Sequence, residues 1–575
     1  AIGETMSADA TLLSQRLPAW RSRALLLALL LFFISLAARA VYLQGMNHDF
    51  YQQKGEERSS HVLKVSEHRG MITDRNGEPL AISTPMESAG LKPREVKFTR
   101  ASLAKLAKLL DMRPEEIRKI AAAPDRSFVY LKRQLPPEIA GEVVALGIPG
   151  VSLEREYRRY YPEAEVTAHV IGYTGVDDQG QEGIELAYED VIAGVPGKRR
   201  VIKNRLGQIV ENVGAVRASR AGSDLALSLD KRIQYLAYRE LKAAVVGHKA
   251  KGGGIVVLDA GTGEVLALAN YPSFNPNNRA QLAGERTRNR AITDLFEPGS
   301  TLKSFTVAAA LDANLVRSGT LVDTTPGYYK VGAKTIRDIH PNGPLTVAEI
   351  VQKSSNVGAA KIGLALKSEQ LWRMLGDAGF GSAPNSGFPG EGAGILRPFS
   401  SWRPIEQATI SFGHGISVSL LQLARAYTLF SSDGELKQVT LLKLDHPAQS
   451  QRVISPSTAK SVRAMLELVS QEGGTATRAQ VAGYRVAGKT GTAHKLENSA
   501  YSSDKYVASF VGFAPVSQPR LIVAVMVDEP SREHFGGVVA APVFSQVMAG
   551  SLRLLSIPPD LPMENLLLAE ERSRP

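Results

Sequence analysis

The run Ala24–Ala38, ALLLALLLFFISLAA, carries no charge, and the apolar character resumes past Arg39 through Ala40, Val41, Tyr42 and Leu43. At about 1.5 Å of rise per residue, a helix over 24–44 spans a bilayer core of about 30 Å. Inside such a core backbone groups find no water, so the segment must be helical. Arg39 lies near one end, where its guanidinium reaches the interface. Arg16, Arg21 and Arg23 precede the run, and the positive-inside bias then places residues 1–23 in the cytoplasm and everything after 44 outside. A cleaved secretory signal is the competing reading, because Ala38-Arg39-Ala40 has the small-x-small form of a cleavage site. The return of apolar residues after Arg39 favours an uncleaved anchor. No second stretch of that length and apolarity occurs, so the expectation is a single-pass protein.

The rest of the 575 residues is enough for several domains, and 44 % hydrophobic content excludes wholesale disorder. Cysteine is absent, which excludes disulfide scaffolds, thiolate metal sites and cysteine nucleophiles. The net charge of +11 is spread without long runs of one sign. A nucleic-acid binder concentrates its basic residues in a stripe with interleaved aromatics, so no nucleic acid is expected as a partner. The ten histidines are scattered; His48, His61 and His68 make no His-Glu-x-x-His pattern, and neither a metal nor a cofactor is called for. His414 and His494 are read as cleft-wall or surface residues.

Along the chain, Arg69–Gly77 ends in an Asn-Gly turn signal. Residues 101–121 have the spacing of one amphipathic helix, with Leu103, Leu106, Leu109 and Leu110 on a face. Gly194-Val195-Pro196-Gly197 reads as a turn entering a strand. After Gly222 the texture changes. Ile233, Leu236, Ala237, Leu241, Ala244 and Val245 have helical spacing; Ile255–Asp259 and Glu264–Leu268 flank Gly261-Thr262-Gly263 as a hairpin. Strands at 506–513 and 521–527 and a helix at about 542–555 follow. This order predicts an α+β multidomain chain whose C-terminal part is an antiparallel sheet flanked by helices. Beyond Ile557 a proline-rich polar segment, 558–575, reads as a flexible tail.

Ser-x-x-Lys occurs five times, at Ser102, Ser228, Ser300, Ser457 and Ser502. The spacing puts an amine and a hydroxyl on one helix face, but five copies show how little it says alone. Only Ser300 follows a turn signal, Glu297-Pro298-Gly299, and opens an apolar run, Phe305–Leu311. Its hydroxyl is thus expected at the N-terminus of a buried helix, where unpaired N–H groups favour negative charge. Lys303 sits one turn in; desolvated near another cation, it loses pKa and can serve as base. An ordinary capping serine with a surface lysine reads equally well from this motif. Two further elements shift that balance. Ser354-Ser355-Asn356 offers a hydroxyl to relay a proton and an amide to hold a carbonyl. Lys489-Thr490-Gly491-Thr492, after the strand-like Tyr484–Ala487, lines up a cation, two hydroxyls and a backbone N–H, with glycine permitting close approach of a ligand.

Ser-x-x-Lys, Ser-x-Asn and Lys-Thr-Gly in that order are the signature of penicillin-binding proteins and serine β-lactamases. The chain resembles the class B penicillin-binding proteins, and among them the division-specific septal transpeptidases (FtsI type). The resemblance spans about 69–557. It includes RGMITDRNGEPLA at 69–81, RRYYP at 158–162, Gly183-Ile184-Glu185, SFNPNNR at 273–279, RNRAITDLFEPGSTLK at 288–303, QKSSNVG at 352–358, AGKTGTA at 487–493 and FGGVVAAPVF at 535–544. Leu302 and Ser304 stand where valine and proline are common in such enzymes.

The resemblance implies a D,D-transpeptidase cross-linking peptidoglycan stem peptides during septum synthesis. Ser300 would attack a stem peptide ending in D-Ala-D-Ala, with Lys303 as base and Ser354 passing the proton to the leaving amine. Asn356 would orient the donor peptide and Lys489 support the local field. Thr490 and Thr492, beside Gly491, would bind the terminal carboxylate, and the N–H groups of Ser300 and Thr492 would form the oxyanion hole. An amine from a neighbouring stem peptide would resolve the acyl-enzyme, and β-lactams would acylate the same serine. The implied partners are a membrane-embedded glycan polymerase (FtsW type), other division proteins and the lipid bilayer via 24–44. The implied location is the inner (cytoplasmic) membrane at the septum, with a periplasmic catalytic domain. The expected division is a tail (1–23), an anchor (24–44), a pedestal or dimerisation-type domain (45–222) that docks partners and orients the enzyme, a transpeptidase domain (223–557) and the tail.

Rival readings are weaker. A class A β-lactamase needs a Glu-x-x-Leu-Asn stretch between Asn356 and Lys489, and none is present. A bifunctional synthase needs room for a glycosyltransferase domain. β-Lactam sensors generally carry several membrane spans, and an elongation-type transpeptidase fits the extended matches less well.

Overall fold

In this computed structural model the described residues are 19–47, 49–50, 60–65, 67–122, 126, 128–203, 209–282, 284–497 and 500–562. Helix α1, Ala19–Val41, continues into a π-helical turn, Tyr42–Met46. Its leucines and phenylalanines are exposed, the reverse of a core helix and suited to anchoring in a membrane. The expected cytoplasmic tail lies outside the described residues up to 18.

Contacts divide the chain into two compact units. The smaller comprises residues up to Glu67, Ser88–Glu154 and Val195–Arg220. The predicted helix over 101–121 is here two helices, α2 (Arg100–Leu110) and α3 (Pro114–Ala121). Asp111 turns left-handed at φ 50° and closes α2, while Arg113 is extended, as the ring of a following proline requires. The predicted apolar face holds: Leu103, Leu106 and Leu110 bury with Ile117 and Val143. Ser102 is a capping residue, its hydroxyl accepting from Thr99 N at 2.9 Å. A three-stranded antiparallel sheet of Ser60–Val65, Gly197–Lys203 and Ile209–Arg217 belongs to the same unit.

The larger unit comprises His68–Glu87, Arg155–Gly194 and Ala221 onward. The first two segments, read from sequence as part of the pedestal, pack in this unit with the residues from 221 onward. Their Ile72, Leu80, Val170, Ile171, Ile184 and Ile192 are in one apolar cluster with the main sheet. Arg69, Arg159 and Glu185 fasten them from inside, with Glu185 accepting from Arg69 at 2.8 Å and from Arg159 at 2.6 Å. Asn76-Gly77 forms its turn, pinned by Asp74, whose carboxylate accepts from Asn76 N and Glu78 N.

Helix α4 (Lys231–Gly247) leads into the hairpin β1 (Gly252–Asp259) and β2 (Val265–Tyr271). Next come helix α5 (Lys303–Asp312), a small hairpin of β3 (Tyr328–Val331) and β4 (Lys334–Arg337), α6 (Val347–Lys353), α7 (Asn356–Ala365) and α8 (Pro456–Leu468). Strands β5 (Ala487–Glu497), β6 (Ala500–Ala514) and β7 (Leu521–Asp528) precede α9 (Gly536–Val539) and α10 (Ala541–Leu554). The five long strands form one antiparallel sheet in the order β2-β1-β7-β6-β5. Every residue of β7 is buried, so both faces of the sheet are covered; α4 and α10 pack together on it. Although the stretch Gly536–Leu554, α9 with α10, is long and apolar enough to cross a membrane, half of it is buried in the unit, which makes α10 a core helix.

The chain does not loosen at 558. Asp560 accepts from Arg485 N at 2.7 Å and Ser517 N at 3.1 Å, and Leu561 N donates to Gly483 O at 3.1 Å. The rest of the expected tail, from 563, lies outside the described residues.

Candidate active site

Ser300 sits in a 3₁₀ turn, Gly299–Leu302, that runs straight into α5. Its side chain caps no helix end, which removes the capping-serine reading. Gly299, at φ +54°, donates to Gly413 O, and Tyr427 OH holds Thr301 O at 2.9 Å. Helix α5 is buried from Lys303 to Ala310, so the turn that presents Ser300 rests on a helix enclosed on all sides.

Three elements converge behind that serine. Ser354 ends α6 in a left-handed conformation, φ 61° and ψ 40°, rare for a residue other than glycine and strained by about 1 kcal/mol or more. That turn sets its hydroxyl between two buried amines: Lys303 Nζ donates to Ser354 Oγ at 3.1 Å and Lys489 Nζ at 2.9 Å. Lys303 also donates to Ser354 O at 2.5 Å and Asn356 Oδ1 at 2.7 Å. Burial drives the Lys303 pKa well below the usual lysine range; the Lys489 charge pushes it the same way and Asp338 opposes. Burial alone brings Lys489 down to about 7. Two amines that cannot both be comfortably charged leave one able to take a proton.

Lys489, Thr490, Gly491 and Thr492 lie on the edge strand β5, which begins at Ala487; Tyr484–Val486 are not yet strand. Thr490 and Thr492 line a cavity of about 570 Å³ together with Ser300, Ser354 and Asn356. Thr490 shares a hydrogen bond with Thr475 at 2.9 Å, and Thr492 Oγ1 accepts from Gly536 N at 3.0 Å. The glycine is explained by the chain itself. A Cβ on Gly491 would fall 2.8 Å from Pro298 O and on the Ser509 hydroxyl, so β5 can lie against the Ser300 turn only with glycine there. Asn356, read as a substrate-orienting amide, accepts from Lys303 with its oxygen, donates one N–H to Arg337 O at 3.0 Å and lines the cavity.

Comparison with known proteins identifies the family. Residues 253–549 match the family described as "Penicillin binding protein transpeptidase domain", and 64–227 match "Penicillin-binding Protein dimerisation domain". The chain belongs to the class B penicillin-binding proteins. It is 45 % identical to "Probable peptidoglycan D,D-transpeptidase PenA" of Neisseria meningitidis, over 94 % of this chain and 93 % of that one. It is 41 % identical to "Peptidoglycan D,D-transpeptidase FtsI" of Escherichia coli, over 94 % and 93 %. Among solved structures, the transpeptidase domain of Burkholderia pseudomallei penicillin-binding protein 3 is 50 % identical, with a TM-score of 0.55, covering 58 % of this chain and 98 % of that one.

Other residues of this penicillin-binding protein's cavity are not marked by a motif. Asp338, just after β4, accepts from Ser355 Oγ at 2.7 Å and from the N–H groups of Asn356 and Val357, so it fixes the start of α7 and faces the Lys303 amine with a negative charge. Thr475 anchors Thr490. Glu297, just upstream of the serine, accepts from Gly415 N at 2.7 Å and Tyr501 OH at 3.0 Å and pairs with His414 Nδ1 at 2.9 Å. Glu297 was visible only as part of a turn signal; Asp338 and Thr475 had no sequence signal that spacing could supply.

Proposed function

We propose that this penicillin-binding protein cross-links peptidoglycan stem peptides during septum synthesis, from a single N-terminal anchor in the cytoplasmic membrane that leaves residues 1–23 inside and the catalytic unit outside. Ser300 Oγ attacks the penultimate D-Ala carbonyl of the donor. Its proton passes to neutral Lys303, and Ser354 hands a proton to the departing D-Ala amine. The Ser300 and Thr492 N–H groups receive the oxyanion; Thr490 and Thr492 hydroxyls, backed by the Lys489 charge, take the donor carboxylate. Asn356 orients the donor peptide while its oxygen holds the Lys303 amine. Acylation by a β-lactam follows the same path and stops there. The pedestal segments and a membrane-embedded glycan polymerase of the FtsW type, with other division proteins, would complete the working assembly.

The observation that carries this reading is the convergence of Lys303 and Lys489 on Ser354 Oγ, in the cavity that Ser300 lines. Labelling the full chain with a fluorescent penicillin tests it. Wild type should form a covalent adduct on Ser300 that survives denaturation, and Ser300→Ala should form none. Persistent labelling of the alanine variant would overturn the nucleophile assignment.

A further inference from the structure

A second acid–base set shares the Ser300 cavity and takes no part in the Lys303–Ser354–Lys489 network. Glu297 Oε2 lies 2.9 Å from His414 Nδ1, and the same carboxylate is fixed from its other oxygen by Gly415 N and Tyr501 OH. The His414 ring stands edge-on to Phe412 and Tyr501, with centroids 5.5 and 5.8 Å apart. Its backbone is laid directly against the nucleophile turn. Gly299 N donates to Gly413 O, and a Cβ on Gly413, at φ +88°, would fall 2.0 Å from Gly299 O. His414 also forms a wall between two spaces. It lines the Ser300 cavity and an adjoining pocket of about 320 Å³ bounded by His494, Tyr501, Ser502 and Ser503. A carboxylate accepting from Nδ1–H fixes the tautomer and leaves the Nε2 lone pair available as a base.

We propose that this pocket admits the acceptor amine of the second half-reaction and that His414 is its general base, with Glu297 as positioning residue. The inference rests on the transpeptidase reading above and assigns its deacylation step. The acceptor nitrogen bonds to the acyl carbon as its proton moves to His414 Nε2. The bond from that carbon to Ser300 Oγ then breaks, and Oγ takes a proton from the Lys303–Ser354 network. The imidazolium, balanced by the Glu297 charge, returns its proton to water while the lysine network regains one. No oxidant or further reactant is needed. The arrangement gives the two half-reactions separate bases: a lysine pair for the donor and a carboxylate–imidazole pair for the acceptor.

The test separates the half-reactions in the full chain in detergent. A short thioester donor acylates the enzyme, and a D-amino acid serves as acceptor; aminolysis and hydrolysis products are measured together, alongside fluorescent penicillin labelling. His414→Gln should lower aminolysis at least tenfold relative to acylation. Added imidazole should restore part of the aminolysis in His414→Gly. Glu297→Gln should lower aminolysis relative to acylation and Glu297→Asp should restore part of it; a merely structural contact would lower both together. Unchanged aminolysis in His414→Gln, or acylation and aminolysis falling by the same factor, would overturn the proposal. Absence of penicillin labelling in wild type would instead sink the transpeptidase reading beneath it.

Discussion

Two clusters of fully buried charge lie in the larger unit, and they are built on opposite plans. Around Glu185, two arginines face one carboxylate at 2.8 and 2.6 Å, with Glu189 a further 2.8 Å from Arg69. Further donors reach Gly70 O, Ser83 Oγ, Asp178 O and Glu185 O, while Arg159 Nη2 has no hydrogen-bond partner among the described residues. Around Ser354, two lysines meet with only hydroxyl, amide and carbonyl oxygens to receive them. Burial acts on both sets. Where counterions answer it, the charges persist and hold chain segments together; where they do not, the charged form is disfavoured and a base emerges. A buried cation therefore signals structure or chemistry according to what faces it.

The sharpest break of this contrast is Lys303→Arg. Guanidinium keeps its proton throughout the range in which proteins fold, so the substitution preserves charge while removing the base. Penicillin acylation should fall by about 10²–10⁴. In wild type the acylation rate should rise with pH through the lowered Lys303 range, since the neutral amine is the active form. Lys489→Gln should move that rise to higher pH, because the Lys489 charge helps hold Lys303 down. Rates from fluorescent penicillin labelling between pH 5 and pH 10 measure both; an arginine variant that labels at the wild-type rate would contradict the base assignment.

What the sequence made legible follows the same line. Ser300, Lys303, Ser354, Lys489 and the two threonines are motif members, singled out by the order of three motifs and by their turn and strand context rather than by spacing alone. The hairpin of β1 and β2, strands β6 and β7 and the core helix α10 were legible because their apolar periodicity is strong. Asp338 was not, because its importance comes from meeting the start of α7 across a hairpin, a contact no short-range pattern encodes. Nor was the grouping of 68–87 and 155–194 with the catalytic residues. Arg69, Arg159 and Glu185 were noticed as motif letters, but only the fold brings them into one buried cluster. The single helix expected at 101–121 failed for a local reason: Pro114 outweighed a continuous apolar stripe.

In the matched cluster, Glu185→Gln should do the reverse of Lys303→Arg. It leaves two buried guanidinium groups short of a counterion, which typically costs about 3–5 kcal/mol. Thermal unfolding should shift sharply downward, while the molecules that remain folded acylate with penicillin at the wild-type rate per active site. A variant with normal stability would mean that the cluster holds nothing together; a variant slow in acylation but stable would place it in the chemistry.

The smallest effect is expected at the one member of that cluster whose charge is poorly answered. Burial pushes the Asp178 carboxyl up to about 7, against the pull of Arg69 and Arg159, and its Oδ1 has no hydrogen-bond partner among the described residues. An acid whose folded pKa lies above its unfolded value binds more protons in the folded state. Its contribution to stability is therefore greatest below the unfolded value near 3.8 and is lost as pH rises toward 7. Asp178→Asn removes the titration and keeps the left-handed backbone at φ 59°, which asparagine tolerates well. The variant should be more stable than wild type at pH 8, by no more than about 4 kcal/mol, with the advantage shrinking toward pH 5. Chemical denaturation at the two pH values decides it. A loss of stability at both would show that Asp178 is held as an anion by its arginines, and that the cluster is matched throughout.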